Sequence, residues 1–315
     1  MREIYNNKHL NQDTTEIDLW ELFRVLFQGK WIIVSFTTFA SIFGIIYSLQ
    51  LPNIYQSKAL LVPVDSSTAI SGALGNYGGL AGLAGINIPS GSGDTNDKKA
   101  IKKLSSLSFF ENNILPNIFL PDLMAIKSWN PVTNTIEYDD AIYDSTNDKW
   151  TRDYSYPKKQ IPSAQESFGV FVNNHLTIDK SNADDFITLS IRHQSPFIAK
   201  KWAELIVYEV NSFYRQKDKT ESEKAVRYLK QQISMTTLSE IKQVIAELLQ
   251  EETQKLSLIE ANEYYVLDFI DPPAVMEQKS EPKRSIICLL SAFFGGLLGI
   301  VIILLRHYGF RQIET

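Results

Sequence analysis

The residues able to do chemistry are few and scattered. The four histidines stand at positions 9, 175, 193 and 307. His175 and His193 fall on neighbouring expected strands. A metal pair there is one reading; a hydrogen-bonded sheet histidine at each position is the commoner one. Asp139–Asp140 and Asp184–Asp185 resemble in type the carboxylate pair that cleaves glycosides, which needs two acids about 5 to 10 Å apart. Adjacent residues on a strand point to opposite faces, and turn positions account better for both pairs. Cys288 is the single cysteine, which excludes an intramolecular disulfide and any multi-cysteine zinc or iron–sulfur site. HExxH, GxSxG, Walker and GxGxxG patterns are absent. The expectation is therefore no catalytic residue, no metal and no cofactor.

The elements that carry the chain are more informative. Residues 31–51, WIIVSFTTFASIFGIIYSLQL, and 285–305, SIICLLSAFFGGLLGIVIILL, are uncharged runs of 21 residues. A helix rising 1.5 Å per residue crosses a hydrocarbon core of about 30 Å in that length. The first run starts too late and lacks a small-residue cleavage site, so it does not read as a signal peptide. Arg306 stops the second.

Two spans place both tails on one side. Arg2, Lys8, Arg24 and Lys30 precede the first, and Arg306 and Arg311 follow the second; positive charge stays cytoplasmic. Lys283 and Arg284 oppose this weakly, because a long loop crosses largely regardless of charge. The expected order is a cytoplasmic tail over 1–30, a span over 31–51, an extracytoplasmic domain over 52–284, a span over 285–305 and a tail over 306–315. The domain holds 25 of 31 basic and 30 of 36 acidic residues. Its net charge of −5 suits a sugar-facing or protein-facing role and argues against nucleic acid.

Within the tail, residues 16–30 make an amphipathic helix with Ile17, Trp20, Phe23 and Phe27 at steps of three and four. It reads as a membrane-surface anchor, with docking to a cytoplasmic partner as the alternative. Residues 55–64 form a strand, with Pro63 at its edge or end. Eight of the 15 glycines lie between Gly72 and Gly93. No GK[ST] follows them, so segment 69–93 is a flexible loop, a close-packed segment or one that touches the bilayer or a partner, rather than a phosphate cradle.

Residues 98–115 read as a helix with Ile101, Leu104, Leu107, Phe110 and Leu115 on its apolar side. Residues 127–165 are an ordered insertion or a pair of short hairpins. Leu176, Ile178, Phe186, Ile187, Leu189 and Ile191 mark two strands joined by a turn over 182–185. From Ser195, a plausible N-cap, and Pro196 at the first helical position, the period becomes helical. Phe197, Trp202, Leu205, Ile206, Val210 and Phe213 give a stripe that Ala225, Tyr228, Leu229 and Ile233 resume. A helix over 196–235 would be about 60 Å long. Thr237 with Glu240 fits a capping box for a second helix bearing Leu238, Ile241, Ile245, Leu248, Leu249, Leu256 and Ile259. This is an antiparallel hairpin over about 196–262, projecting from a membrane-proximal base. Residues 264–271 are the last strand. The fold class is α+β with a helical extension, anchored by two transmembrane helices.

Pro272, Pro273 and Pro282 then stiffen a non-helical strut over 272–284, since proline fixes φ and blocks helix propagation. In the second span Gly295 and Gly299 form a GxxxG with Gly296 beside it, a face that lets helices approach closely.

These features resemble the Wzz-type chain-length determinants, the polysaccharide co-polymerases. The likeness runs through IDLWELFRVLFQGKW, the first span, YQSKALLVPV, GGLAGLAGI, AIYDSTNDKWTR and LIEANEYYVLDFIDPPAVMEQKSEPKRS before a glycine-bearing span. Pro272, Pro273, Ser280, Pro282, Lys283 and Arg284 match the family's proline-rich approach; Met276 stands where it usually has another proline. The resemblance implies a ring-like homo-oligomer in the bacterial inner membrane. There it would act with a Wzy-type polymerase to set the length of O-antigen or a related glycan. Implied polymerase or oligomer contacts are Pro272, Pro273, Pro282, Lys283, Arg284, Gly295, Gly296 and Gly299, with the growing glycan as a further partner. Some relatives continue into a tyrosine kinase; ten residues follow the second span here, so no such domain is expected. An export adaptor for a separate cytoplasmic kinase is the alternative function, and a membrane-anchored glycan enzyme the rival class.

Overall fold

The computed structural model describes residues 19–64, 96–181 and 186–309. Segment 69–93, the turn over 182–185, Asp184–Asp185, His9 and Ile17 lie outside them. The chain divides into two compact units, Met1–Pro52 with Glu281–Thr315, and Asn53–Ser280.

In the first unit, helix α1 (Leu19–Gln28) is followed, after Gly29, by α2 (Lys30–Gln50). Helix α7 (Arg284–Leu304) packs along α2. Both long helices begin one residue before the expected spans. Most of their large apolar side chains are exposed, which a soluble core helix of that composition would not tolerate.

The second unit is built on a four-stranded antiparallel sheet in the order β6–β7–β1–β8. These strands are β1 (Tyr55–Pro63), β6 (Leu176–Lys180), β7 (Ile187–His193) and β8 (Leu267–Asp271). Ser57, Ala59 and Leu61 alternate inward on β1, opposite Ile191, Leu189 and Ile187. This period of two is what a half-buried sheet requires. One face is covered by α5 (Pro196–Met235). Trp202, Ile206, Val207 and Val210 join the sheet residues in one core, together with Phe109, Phe110 and Phe171.

The expected helix over 98–115 is interrupted. Helix α3 (Asn96–Leu104) ends before Ser106, whose hydroxyl caps a fresh turn at Phe109 N, and the chain then winds more loosely through Phe110–Ile114. Leu107 therefore faces solvent while Leu104 and Phe110 are buried. Residues 127–165 resolve into two hairpins, β2 (Ile126–Asn130) with β3 (Thr135–Tyr138), and β4 (Tyr143–Asp144) with β5 (Lys149–Trp150). Their turns place Asn134 and Asp148 at φ 52°, a region that Asn and Asp enter more readily than other non-glycine residues. Asp139 Oδ1 accepts from Ala141 N, so this acid is a turn residue. Helix α4 (Ala164–Val170) follows, capped by Ser163. Its Glu166 binds Arg152 through both carboxylate oxygens, at 2.6 and 2.9 Å.

Helix α5 runs 40 residues and so extends about 60 Å. Helix α6 (Ser239–Ala261) returns against it. Ser195 is the N-cap position of α5 and Pro196 opens the helix, as expected, although the Ser195 side chain makes no cap hydrogen bond. Two readings at this hairpin are corrected. Thr237 does not cap α6: its first turn follows Leu238, and Thr236 instead turns its hydroxyl back to Gln232 O. Phe197, Tyr228 and Leu238 are exposed rather than part of a buried stripe. The last strand begins at Leu267, three residues later than its aromatic run predicts.

Candidate functional site

The residues singled out from the sequence fall into three places. Gly295, Gly296 and Gly299 lie on the face of α7 that meets α2. A methyl group added at Gly295 would stand 2.5 Å from Ala40 Cβ and 2.9 Å from Phe36 O; at Gly299 it would stand 2.8 Å from Ile33 Cα. Those neighbours are mostly backbone and cannot swing aside. Gly296 is looser, with Thr37 Oγ1 at 3.3 Å. The contact is reciprocal: Gly44 of α2 receives Ser291 of α7. Three hydroxyls at this seam turn to their own helices. Thr37 bonds Ile33 O, Ser41 bonds Thr37 O and Ser291 bonds Ile287 O, each at 2.8 Å, while Ser48 Oγ is buried without a partner among the described residues. Small residues let the two backbones approach closely.

Pro282, Lys283 and Arg284 form the head of α7. Ile286 N and Ile287 N both donate to Lys283 O, and proline just ahead stops the helix from extending outward. Lys283 is exposed.

Pro272 and Pro273 belong to the other unit. Pro273 is buried and Pro272 is exposed. The segment after β8 has neither helix nor ladder pairing through Ser280, yet it is tied to the start of β1. Ser57 Oγ donates to Ala274 O at 2.8 Å, Ser280 N to Ile54 O at 2.9 Å, and Lys279 Nζ to Asn53 Oδ1 at 3.2 Å. The stiffness expected from prolines is shared with these side bonds.

The second unit depends on a residue that pattern reading passed over. Asn211 sits in the apolar stripe of α5, beside Val207, Val210 and Tyr214, and is buried. Its Oδ1 accepts from the backbone N–H of Tyr265, Val266 and Leu267 at 2.9, 2.7 and 3.1 Å. Its Nδ2 donates to Leu267 O at 2.8 Å and Val207 O at 2.9 Å. One amide thus holds the irregular entry to β8, and explains why the strand starts late. About two turns further along α5, Asp218 Oδ2 accepts from Tyr265 OH at 2.8 Å. Burial and this carboxylate hold the Tyr265 phenol well above its ordinary pKa. The signal in the sequence was a polar residue at a stripe position; its partners lie more than fifty residues away.

The histidine pair is structural. His193 is on β7, but His175 closes the turn before β6 rather than lying on a strand. Their rings stand 5.7 Å apart beside Trp202. Ser195 N donates to His193 Nδ1 at 2.9 Å, which leaves Nε2–H to donate to Asp122 O at 3.0 Å. His175 Nδ1 pairs with Arg192 O at 2.7 Å. Both nitrogens of His193 are committed, so it cannot ligate a metal. Burial pushes His193 down to about 4 and lowers His175 as well. Among the described residues, no group of three or more His, Cys, Asp or Glu is placed to hold a metal ion.

Residues 15–112 match the family model described as Wzz, chain length determinant protein. The matched segment runs from α1 through the first long apolar helix and β1 to the turns after α3. Two solved structures are similar to the chain. A full-length bacterial polysaccharide co-polymerase is 13% identical, with a TM-score of 0.40, over 94% of this chain and 99% of its own. A fragment of WzzB, a polysaccharide co-polymerase from Salmonella Typhimurium, is 14% identical, with a TM-score of 0.31, over 73% of this chain and 100% of its own. No curated protein matches the sequence.

Proposed function

We propose that this protein is a non-catalytic regulator of polysaccharide chain length in the bacterial inner membrane. The observation that carries the reading is the Wzz family match over residues 15–112, joined to two apolar helices long enough to span that pair through glycine. In this reading both termini are cytoplasmic and the sheet with its helical hairpin is periplasmic. The protein assembles as a ring-like homo-oligomer and acts with a Wzy-type polymerase on O-antigen or a related glycan.

Each part supports a scaffold. The paired spans fix the anchor, and the hairpin offers about 60 Å of rigid helix along which copies can associate. Pro272, Pro273, Pro282, Lys283 and Arg284 form the contacts toward polymerase or neighbouring copies. Gly295, Gly296 and Gly299 serve those contacts by setting how α7 sits on α2.

The test is the surface-glycan ladder from cells with the gene deleted and restored. Length control predicts that deletion turns a clustered band pattern into a random, short-biased one while polymer is still made. Loss of all polymer moves the export role with a separate kinase ahead. An unchanged ladder overturns the proposal.

A further inference from the structure

Four aromatic rings of the second unit gather outside its core. Phe119 stands just before the short helix Leu120–Met124, Tyr138 at the end of β3, Tyr143 at the start of β4 and Trp150 at the end of β5. Between ring centroids, Phe119 is 6.2 Å from Tyr138 and 6.1 Å from Tyr143, and Tyr143 is 5.5 Å from Tyr138 and 5.3 Å from Trp150. None of the four belongs to the core around Trp202. Ile118 and Leu120, on either side of Phe119, do pack on that core, whereas Phe119 turns out and is 50% exposed. Tyr143 is the buried centre of the group, and Tyr138 and Trp150 are half-buried.

Polar bonds hold the rings where the core does not. Tyr138 OH donates to Asp122 Oδ1 at 2.6 Å and Tyr143 OH to Asp148 Oδ1 at 2.5 Å. Gln160 Nε2 donates to Trp150 O at 2.7 Å, and Arg152 binds Gln160 O while its other nitrogens grip Glu166. Each carboxylate spends one oxygen on its phenol. Asp122 Oδ2, Asp148 Oδ2 and the Trp150 indole N–H make no hydrogen bond among the described residues.

We propose that this cluster is a saccharide-binding face, with Phe119 and Trp150 against the C–H side of a pyranose and Asp122 and Asp148 accepting from its hydroxyls. It deepens the reading above by giving the glycan a site on this protein, and it rests on that reading for the identity of the polymer. A pyranose has an apolar C–H face and a rim of hydroxyls. The electron-rich face of an aromatic ring suits the first. An ionised carboxylate, which only accepts, suits the second. The same carboxylates repel an anionic group, so the units in contact are uncharged sugars. Lys201 offsets part of the Asp122 charge, which favours a neutral ligand over a cationic peptide. Rings already fixed by their own bonds cost little further ordering when a ligand arrives.

The experiment uses the full chain in nanodiscs. The probe is short surface glycan released by mild acid from cells that carry the gene. Saturation-transfer difference NMR reads contact between protein and sugar ring protons. The wild type should transfer to the glycan, and Phe119→Ala and Trp150→Ala should each cut the signal about fivefold. Tyr208→Ala, which removes an exposed ring on α5, should leave it unchanged. Phe119 is half exposed, so its variant tests contact with the fold intact, as an unshifted thermal transition will verify. Added salt should leave the transfer in place, because no ion pair carries it. No transfer, or equal transfer in Phe119→Ala, overturns the site. Capture of pentalysine, lost in salt, with no transfer to glycan marks a cationic-peptide surface and overturns it too. The deletion ladder decides the regulator reading separately. A changed ladder without transfer sinks the site alone, whereas transfer with an unchanged ladder sinks regulation and leaves the site standing.

Discussion

The two units are held together by opposite means. In the pair α2 and α7, large apolar side chains point outward and the contact is made by glycine, alanine, serine and threonine. In the sheet unit the large apolar side chains are gathered inward around Trp202, Ile206 and Leu189, and a buried amide, Asn211, binds the backbone of the stretch that leads into β8. The difference is one of solvent. Burial of apolar surface drives the second unit, at roughly 25 cal/mol per Å². Lipid offers no such gain between helices, so the close approach of backbones must do it. A single chain written for two solvents shows both solutions.

Substitutions that reverse these rules should separate the units. The largest effect is expected from Asn211→Leu. It fills the same space but leaves three N–H groups and a carbonyl without partners, a loss of roughly 3 to 6 kcal/mol. For a unit of this size the full chain in detergent should lose about 10 °C or more in Tm, while cysteine cross-linking between α2 and α7 stays intact.

Gly295→Leu should do the reverse. Its side chain would meet Phe36 O and Ala40, so cross-linking between the spans and the clustered glycan ladder should be lost. The unfolding transition of the sheet unit should move little.

Next in size is a pH effect confined to the sheet unit. His193 is held near 4 in the fold, against about 6.5 when unfolded. The unfolded state therefore binds more protons between these values, and stability rises with pH there. It is fully present above about pH 6.5 and is lost as pH falls toward 4, by about 3 kcal/mol; His175, shifted the same way, adds to it. Thermal unfolding measured from pH 7.5 to 4.5 should show this loss, and His193→Phe should flatten the slope.

The smallest effect is expected for Gly296→Ala. Thr37 Oγ1, 3.3 Å from the new methyl, can give by a few tenths of an ångström. Span cross-linking and the ladder should stay as they are; a large loss would mean that Gly296 faces a tighter neighbour than Thr37.

Much of the fold was legible because its signals are local. Two uncharged runs, the alternation at Leu189 and Ile191, and the unbroken helical period after Pro196 need no knowledge of the rest of the chain. The misreadings lie where distant residues decide. Tyr264 to Val266 have strand composition, yet Asn211 takes the N–H groups of Tyr265 and Val266 and the strand begins only at Leu267. Thr237 and Glu240 have the spacing of a capping box, but α6 starts a residue later and Thr236 turns back to α5. Phe197 and Tyr228 match the period of the buried stripe, but both are about half exposed, Phe197 with the Trp129 ring 6.4 Å away. At the candidate site the same division holds. The GxxxG was visible as a pattern, whereas its use against Ile33, Phe36 and Ala40 depends on a helix some 250 residues earlier. The tie from Ser57 to Ala274 could not be read from either segment alone.

The most direct test of a non-catalytic regulator is reconstitution. The full chain, a Wzy-type polymerase and lipid-linked repeat units would be combined in proteoliposomes, and the product lengths resolved with each protein omitted in turn. The account predicts that this protein alone neither joins nor cleaves glycan, and that adding it to the polymerase narrows a broad length distribution around a mode. Glycan made or cut by this protein without the polymerase would contradict it, as would an identical length distribution with and without it.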